Sequence, residues 1–343
     1  MSSDLRKKAL VQPEKIGSIV ANSSLMEMVL KAKAATDAAQ ATRKPYPLPI
    51  PMEVEAKQVA AAINEDVAPK GKLPPERAWL NFAPMPRDLC RSSPFFPLNR
   101  NQLNERAFMD ELVVAQSSWG SVKYTGPRLS IYEEDVLLAV LAVLDAQHRP
   151  ETITEDGKRA FTYKGPIRPL IQALGYSKPS KAEYARFRRA LRFLMATALE
   201  INTKKGSWAT TNIVSAVFGK GEDISITVNP YFHEMYGTGS ITLLDVPTRL
   251  KLSGQIAKAM HRFACSHRDL RWQGHFLTLA GALNVSTDAP HFEIRRQLKT
   301  AITALAKAGV LDGRTSGIKG DIVTLTKVKT VLESTAQKAL PAS

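Results

Sequence analysis

The residues best placed to do chemistry are arginines on one helical face. Over residues 181–199 the apolar side chains Phe187, Leu191, Leu194 and Ala198 recur at helical spacing. At about 100° per residue, Arg189 falls almost opposite that stripe, flanked by Arg186 and Arg192. Arg188 sits nearer the boundary, where its aliphatic stem can cover the core. Lys181 opens the helix, and Glu183 is the one acid within it. Planar guanidiniums pair with phosphate oxygens and with the edge of guanine, so this pattern points to a helix that anchors by one face and reads a duplex with the other. A solvated surface helix is the alternative.

A second helix, over 292–308, repeats the arrangement. Ile294, Leu298, Ile302 and Leu305 form its stripe, and Arg296, Thr300, Thr303 and Lys307 lie on the far side. Arg295 and Lys299 join this second set of candidate contacts. Gly-containing turns between alternating runs are hairpin signals. Lys204 and Lys205 stand in one such turn, Arg314 and Lys319 in another, where they would meet backbone phosphate. His267 and Arg268 read as structural first, with Arg268 a further candidate for phosphate.

Other chemistries find little support. His261, Cys265 and His267 crowd one stretch, but their spacing fits no standard metal ligand set and no fourth ligand stands nearby. No phosphate-cradling Gly-x4-Gly-Lys-Ser/Thr loop, His-x-x-x-His motif or Gly-x-Ser-x-Gly elbow occurs. The expectation is a non-enzyme with no metal and no cofactor. Cys90 and Cys265 are the only cysteines, too few for a disulfide framework, which suits a reducing cytoplasm. The 343 residues carry a net charge of +15, which must face something anionic. No apolar run approaches the roughly 18–20 residues of a spanning helix, and 1–12 lack a signal-peptide core, so nucleic acid is favoured over a membrane surface.

The elements that must position these residues can be read around them. A strand over 121–125 ends in Gly126-Pro127. Ser130 and Glu133 have capping-box spacing for a helix running to Ala146, with Val136, Leu137, Val140, Leu141 and Leu144 as its stripe. A strand at 160–163, a helix from Pro166 to a stop at Gly175, and a Ser-Lys-Pro-Ser turn lead into the arginine helix. β-like runs at 200–203, 208–218 and 223–228 follow it, joined through Lys204-Lys205-Gly206 and Gly219-Lys220-Gly221. Short helix, turn, longer basic helix and basic hairpin make a winged helix. The order then recurs: a strand at 241–244, a helix from about Ser253 bearing Ile256, Met260 and Phe263, a helix at 277–283, a turn at 286–290, the helix at 292–308, and a hairpin with its tip at 313–320 before a strand at 322–325. The shared feature is the order of elements, without an obvious sequence repeat. The expected architecture is α+β: two tandem winged-helix domains (81–235 and 236–330) after a flexible Ala/Lys/Pro-rich arm (1–80), with a short tail (331–343). Short helices near 24–39 and 54–64 flank the proline-alternating run 44–51 in the arm.

Over roughly 79–329 the chain resembles the TrfA-type plasmid replication initiators. Arg91-Ser92-Ser93-Pro94-Phe95 is similar to the family's Arg-Ser-Ala-Leu-Phe segment, and Val122-Lys123-Tyr124-Thr125-Gly126 to its strand and turn. Leu250-Lys251-Leu252-Ser253, Phe263 and Ser266-His267-Arg268 resemble a Lys-Leu-Ser … Phe … Ser-His-Arg stretch in the second domain. The resemblance implies a bacterial cytoplasmic protein that binds direct repeats (iterons) in a plasmid origin as a monomer. It also implies help in opening an AT-rich segment, recruitment of the host helicase with its loader and of the polymerase sliding clamp, and dimers that limit copy number, with the first domain as the dimerising one. Where the family has the clamp-binding Gln-Leu-Ser-Leu-Phe ahead of Ala-Pro-Trp-Pro, this chain has Trp79-Leu80-Asn81-Phe82 ahead of Ala83-Pro84-Met85-Pro86. Trp79, Leu80 and Phe82 thus form a degenerate clamp peptide lacking the glutamine, or an apolar staple for the arm. A repressor binding a palindrome as a dimer, and a non-specific DNA-coating protein, are the competing classes.

Overall fold

The first half of the chain is built around one helix that is apolar on nearly every side. The computed structural model describes residues 82–328 apart from 92, 105, 117–119, 156, 204–207 and 238–240, all within one compact unit, Lys70–Ser343. The elements begin with β1 (Phe82–Pro86), α1 (Arg87–Arg91), β2 (Phe95–Phe96), α2 (Arg100–Asn104), β3 (Phe108–Gln116), β4 (Gly120–Pro127) and β5 (Leu129–Ser130). The first winged-helix module follows: α3 (Ile131–Ala146), β6 (Glu151–Ile153), β7 (Arg159–Pro166), α4 (Ile167–Gln172) and α5 (Lys181–Met195). It continues through β8 (Ala198–Thr203), β9 (Trp208–Asn212), β10 (Val214–Lys220), β11 (Asp223–Val228) and α6 (Pro230–Gly237). The second comprises β12 (Ile241–Asp245), α7 (Val246–Lys251), α8 (Gln255–Ser266), β13 (Arg271–His275), α9 (Phe276–Ala282), α10 (His291–Lys307), β14 (Gly317–Lys319) and β15 (Ile322–Thr326). The mixed α and β architecture agrees with the sequence reading. The arm helices, Trp79, Leu80, Lys204, Lys205 and the tail lie outside the described residues.

Ser130 caps α3 through the capping box with Glu133. The expected one-sided stripe on α3 is corrected: residues Val136 through Leu144 are all buried. A helix covered all round is apolar all round, and α3 is covered because α4, α5 and β7 pack on it from its own module and β1 and α8 from elsewhere.

Two further boundaries differ from expectation. α5 stops at Met195, and Ala198 opens β8 instead of extending the helical stripe. The open carbonyls of the last turn are taken by side chains, Thr197 Oγ1 donating to Phe193 O at 2.8 Å and Asn212 Nδ2 to Met195 O at 2.5 Å. The run 208–218 is two strands: β9 belongs to the sheet β3-β4-β8-β9, and β10 to β10-β11-β7-β6. Ile213 and Val214 are both buried. A strand with one buried face cannot bury two consecutive side chains, so the chain kinks and changes sheet there. The wing of the first module is consequently β10–β11, while the β8–β9 hairpin belongs to the other sheet.

The structure also exposes a sequence correspondence that the linear reading missed. The strand entering each short helix ends in aromatic-x-Gly: Tyr163-Lys164-Gly165-Pro166 before α4 and Trp272-Gln273-Gly274-His275 before α9. Pro166 and His275 have the same backbone angles, φ −67° and ψ 143°. Each wing turns through Lys-Gly-acid, Lys220-Gly221-Glu222 and Lys319-Gly320-Asp321, with the glycines at φ +64° and +59°. In both modules the acid's backbone carbonyl accepts from the first amide of the short helix, Ile167 N to Glu222 O and Phe276 N to Asp321 O, each at 2.9 Å. The corner fixes the wing beside the helix pair.

Gly274 tests this corner. A Cβ there would lie 2.7 Å from the Trp272 ring, which packs edge-on to Phe263 with centroids 5.2 Å apart. The ring would have to leave Phe263, so Gly274→Ala is expected to cost about 1–3 kcal/mol in urea unfolding. An unchanged midpoint would show that the ring moves freely.

Candidate nucleic-acid interface

α5 presents its basic face because its opposite face is anchored. Phe187, Ala190, Leu191 and Leu194 are buried, and Lys181, Ala182, Ala185, Arg188, Arg189 and Arg192 are exposed. Ser180 and Glu183 form its capping box. Arg189 lies over Phe193 (5.3 Å to the ring centroid), as does Arg106 (4.3 Å). Neither Arg189 nor Arg192 has a carboxylate partner among the described residues. The two alanines beside them leave room for a base edge to approach. Arg188 is engaged elsewhere, since its Nη2 donates to Gly221 O in the wing turn at 3.2 Å, tying helix to wing. Arg186 is exposed as well, with its guanidinium 3.7 Å from the centroid of the Tyr132 ring on α3.

α10 repeats the scaffold with a different surface. Ile294, Leu298, Ala301, Ile302 and Leu305 are buried, and Phe292, Arg296, Lys299, Thr300, Thr303 and Lys307 are exposed along the other face. Arg295 is the strut of this module: it stacks on Phe276 at 4.2 Å and pairs with Asp321 in the wing turn. Arg296 is held in a two-pronged pair with Glu293, Nε to Oε2 at 2.7 Å and Nη2 to Oε1 at 2.6 Å. That pair, with Gln297 donating to Glu293 Oε1, lowers the Glu293 carboxyl to about 2. Glu293 went unnoticed in the sequence, although a Glu three residues before an Arg on a helix is the signal for such a pair.

Lys220 and Lys319 are exposed at the two wing turns. The sequence marks Gly219-Lys220-Gly221 as a turn between strands, but the wing contacts expected of the first module fell on Lys204 and Lys205, one hairpin earlier. Arg268 is exposed in the bend after α8, and Arg314 is exposed in the turn after α10, where its amide donates to Asp312 Oδ1 at 2.9 Å. If each wing lysine touches one phosphate, Lys220→Ala and Lys319→Ala are each expected to weaken binding to every duplex alike. Each should also lower the slope of log affinity against log salt by about 0.9. A change confined to one sequence would place the lysine on a base.

A buried ionic cluster joins the two modules. Glu134, in the first turn of α3, meets Arg262 of α8 at 2.5 Å and Arg249 of α7 at 3.1 Å, all three fully enclosed. Asp135 meets Arg249 at 2.7 Å and Lys258 at 2.6 Å. Arg262 Nε also donates to Cys90 O at 3.3 Å, and β1 pairs antiparallel with β12. The consecutive acids Glu133, Glu134 and Asp135 thus divide their work. Glu133 caps its own helix and holds Arg106 at 3.0 Å, and the other two bind the second module.

The remaining sequence candidates are placed as follows. His261 is buried in α8, and burial with Arg249 and Arg262 nearby lowers it to about 3, so it stays neutral. Burial pushes the Cys265 thiol up to about 12. His267 Nδ1 donates to Phe263 O at 2.8 Å. Among the described residues no group of three or more His, Cys, Asp or Glu stands ready to hold a metal. Phe82 opens β1 opposite Asp245, half-buried within a paired strand. No helix among the described residues is long and apolar enough to cross a membrane.

No protein-family model matches the sequence, and no curated protein sequence matches it. Among solved structures, the selenomethionine crystal structure of domains 2 and 3 of RctB is similar with a TM-score of 0.51 and 10% identity, over 71% of this chain and 98% of that one. A second structure of RctB domains 2–3 gives 0.47 and 12%, over 71% and 98%. The Pi initiator protein in complex with iteron DNA gives 0.41 and 15%, over 57% and 90%. At such identities the likeness is one of fold, and by the first of these comparisons this chain shares the fold of RctB domains 2 and 3.

Proposed function

We propose that this protein is a replication initiator of the TrfA type, which binds direct repeats in an origin as a monomer. The observation that carries the proposal is that one chain holds two outward basic helices, α5 and α10, each strapped to its own wing and both locked together by the Glu134–Arg249–Arg262 cluster. Two fixed helices in one chain suit two successive major grooves, which recur about every 34–36 Å. The motifs that resemble the TrfA-type initiators add replication as the purpose. With them come opening of an AT-rich segment, contact with the host helicase, its loader and the sliding clamp, a bacterial cytoplasm, and dimers that restrain copy number. The paired state of β1 leaves Phe82 a poor clamp ligand unless that strand detaches.

The test is a DNase footprint of the full chain on DNA flanking its own coding sequence. Regularly spaced protections over direct repeats, each about two turns wide, support the proposal. A single protected palindrome means a dimeric repressor, and uniform weak protection means binding through phosphates alone.

A further inference from the structure

The two helices present different chemistry to a groove, and the difference names different bases. α5 offers Arg189 and Arg192, with the exposed alanines Ala182 and Ala185 in the turns before them, a donor surface suited to the O6 and N7 acceptors of guanine. At the N-terminal turns of α10, where a recognition helix first meets bases, the donor side chains are already engaged, His291 edge-on to Phe276 at 5.4 Å and Arg296 with Glu293. Phe292, in its first turn, is 71% exposed, the ring standing free of the core. The next positions on that face are Arg296, engaged by Glu293, and Thr300 and Thr303. Thr300 Oγ1 donates to Arg296 O and Thr303 Oγ1 to Lys299 O, both at 3.0 Å, so neither hydroxyl has a proton left for a base. Beside the exposed His291 and the Glu293-bound Arg296, α10 shows a phenyl ring and two threonine methyls, rimmed by Lys299 and Lys307 for phosphate.

A lone exposed phenylalanine needs no explanation. This one lies on the same face as two threonines committed to the backbone and two lysines, on a helix whose other face is fully anchored. The one apolar feature of a major groove is the thymine 5-methyl group. We infer that the second module recognises thymine through its methyl, with Phe292 as the specificity-determining contact and Thr300 and Thr303 as its extension, while the first module reads guanine. This rests on the DNA-binding reading above and deepens it: the site is bipartite, one half read by donors and the other by apolar contact.

The experiment uses the full chain and a duplex that it selects from a random-sequence pool. That duplex is resynthesised with deoxyuridine replacing thymidine, one half at a time, which removes only methyl groups. In one half the substitution should weaken binding about four-fold per contacted methyl, the equivalent of about 0.8 kcal/mol for a buried carbon. Substitution in the other half should be silent. Phe292→Ala should bind the thymidine duplex more weakly and lose the difference between the two duplexes, while Phe292→Leu retains part of it. Deoxyuridine that is silent in both halves, or a thymidine preference that survives Phe292→Ala, overturns the inference and leaves DNA binding standing. A pool from which no sequence is enriched overturns sequence recognition, and this inference with it.

Discussion

Replacing Glu134 with alanine is expected to lower the free energy of unfolding by about 3–5 kcal/mol. The carboxylate is the shared partner of two enclosed guanidiniums, Arg262 at 2.5 Å and Arg249 at 3.1 Å. Its removal leaves Arg262 with a backbone carbonyl and Arg249 with Asp135 and the Lys258 carbonyl. Burying a charge with too few partners is among the costliest single changes in a folded protein. Urea unfolding followed by circular dichroism reads the effect. The cluster itself need not stabilise the fold relative to an apolar one. The combined variant Glu134→Leu, Arg249→Met, Arg262→Met should therefore recover much of the loss while the single variant does not. A single variant that unfolds like the wild type would mean that water reaches the site, and with it that the cluster does not lock the modules. The same locking makes a second expectation: a combined variant that folds but binds poorly would show that the ionic geometry sets the helix angle, beyond holding the modules together.

The second large effect lies on α5. Arg189→Ala and Arg192→Ala should each cost about 1–3 kcal/mol of specific affinity, with relaxed preference at a guanine. Both side chains are exposed on the face opposite Phe187, Leu191 and Leu194, and neither has a carboxylate partner among the described residues, so little else is lost with them. Anisotropy titrations against the selected duplex and against one with guanines exchanged separate the cases. Equal weakening on both duplexes would make these arginines phosphate contacts. Arg188→Ala should behave differently, because its bond to Gly221 O makes it a strut: binding to all duplexes falls together as the wing loses its position. Arg186, lying on Tyr132, should affect binding least.

How much of this was legible beforehand depends on the range of the interaction concerned. Helical stripes such as Phe187–Leu191–Leu194 and Ile294–Leu298–Ile302–Leu305 could be read directly, because their period is set by the helix itself. The Ser130–Glu133 box was legible for the same reason, since cap and capped groups are three residues apart. Local patterns of this kind gave the order of elements in both modules and the basic faces of α5 and α10. The aromatic-x-Gly corners and Lys-Gly-acid turns were also written in the chain, but their equivalence becomes visible only once each is seen to join a wing to a short helix.

Tertiary structure decided everything that depended on pairing across distance. Which hairpin is the wing followed from β11 pairing with β7, and the kink at Ile213–Val214 that sends β9 and β10 to different sheets has no signature beyond two adjacent apolar residues. Which arginines remain available was likewise a matter of neighbours. Arg188 and Arg295 are bound to wing turns, Arg186 lies on α3, and Arg249 and Arg262 are buried against acids more than a hundred residues earlier. By itself the sequence determined the elements, their amphipathic faces and the sign of the charge they present, because those are properties of a few consecutive residues. Which charges face outward and at what angle the two helices are held was settled only by the fold, because burial and ion pairing depend on what the rest of the chain brings alongside.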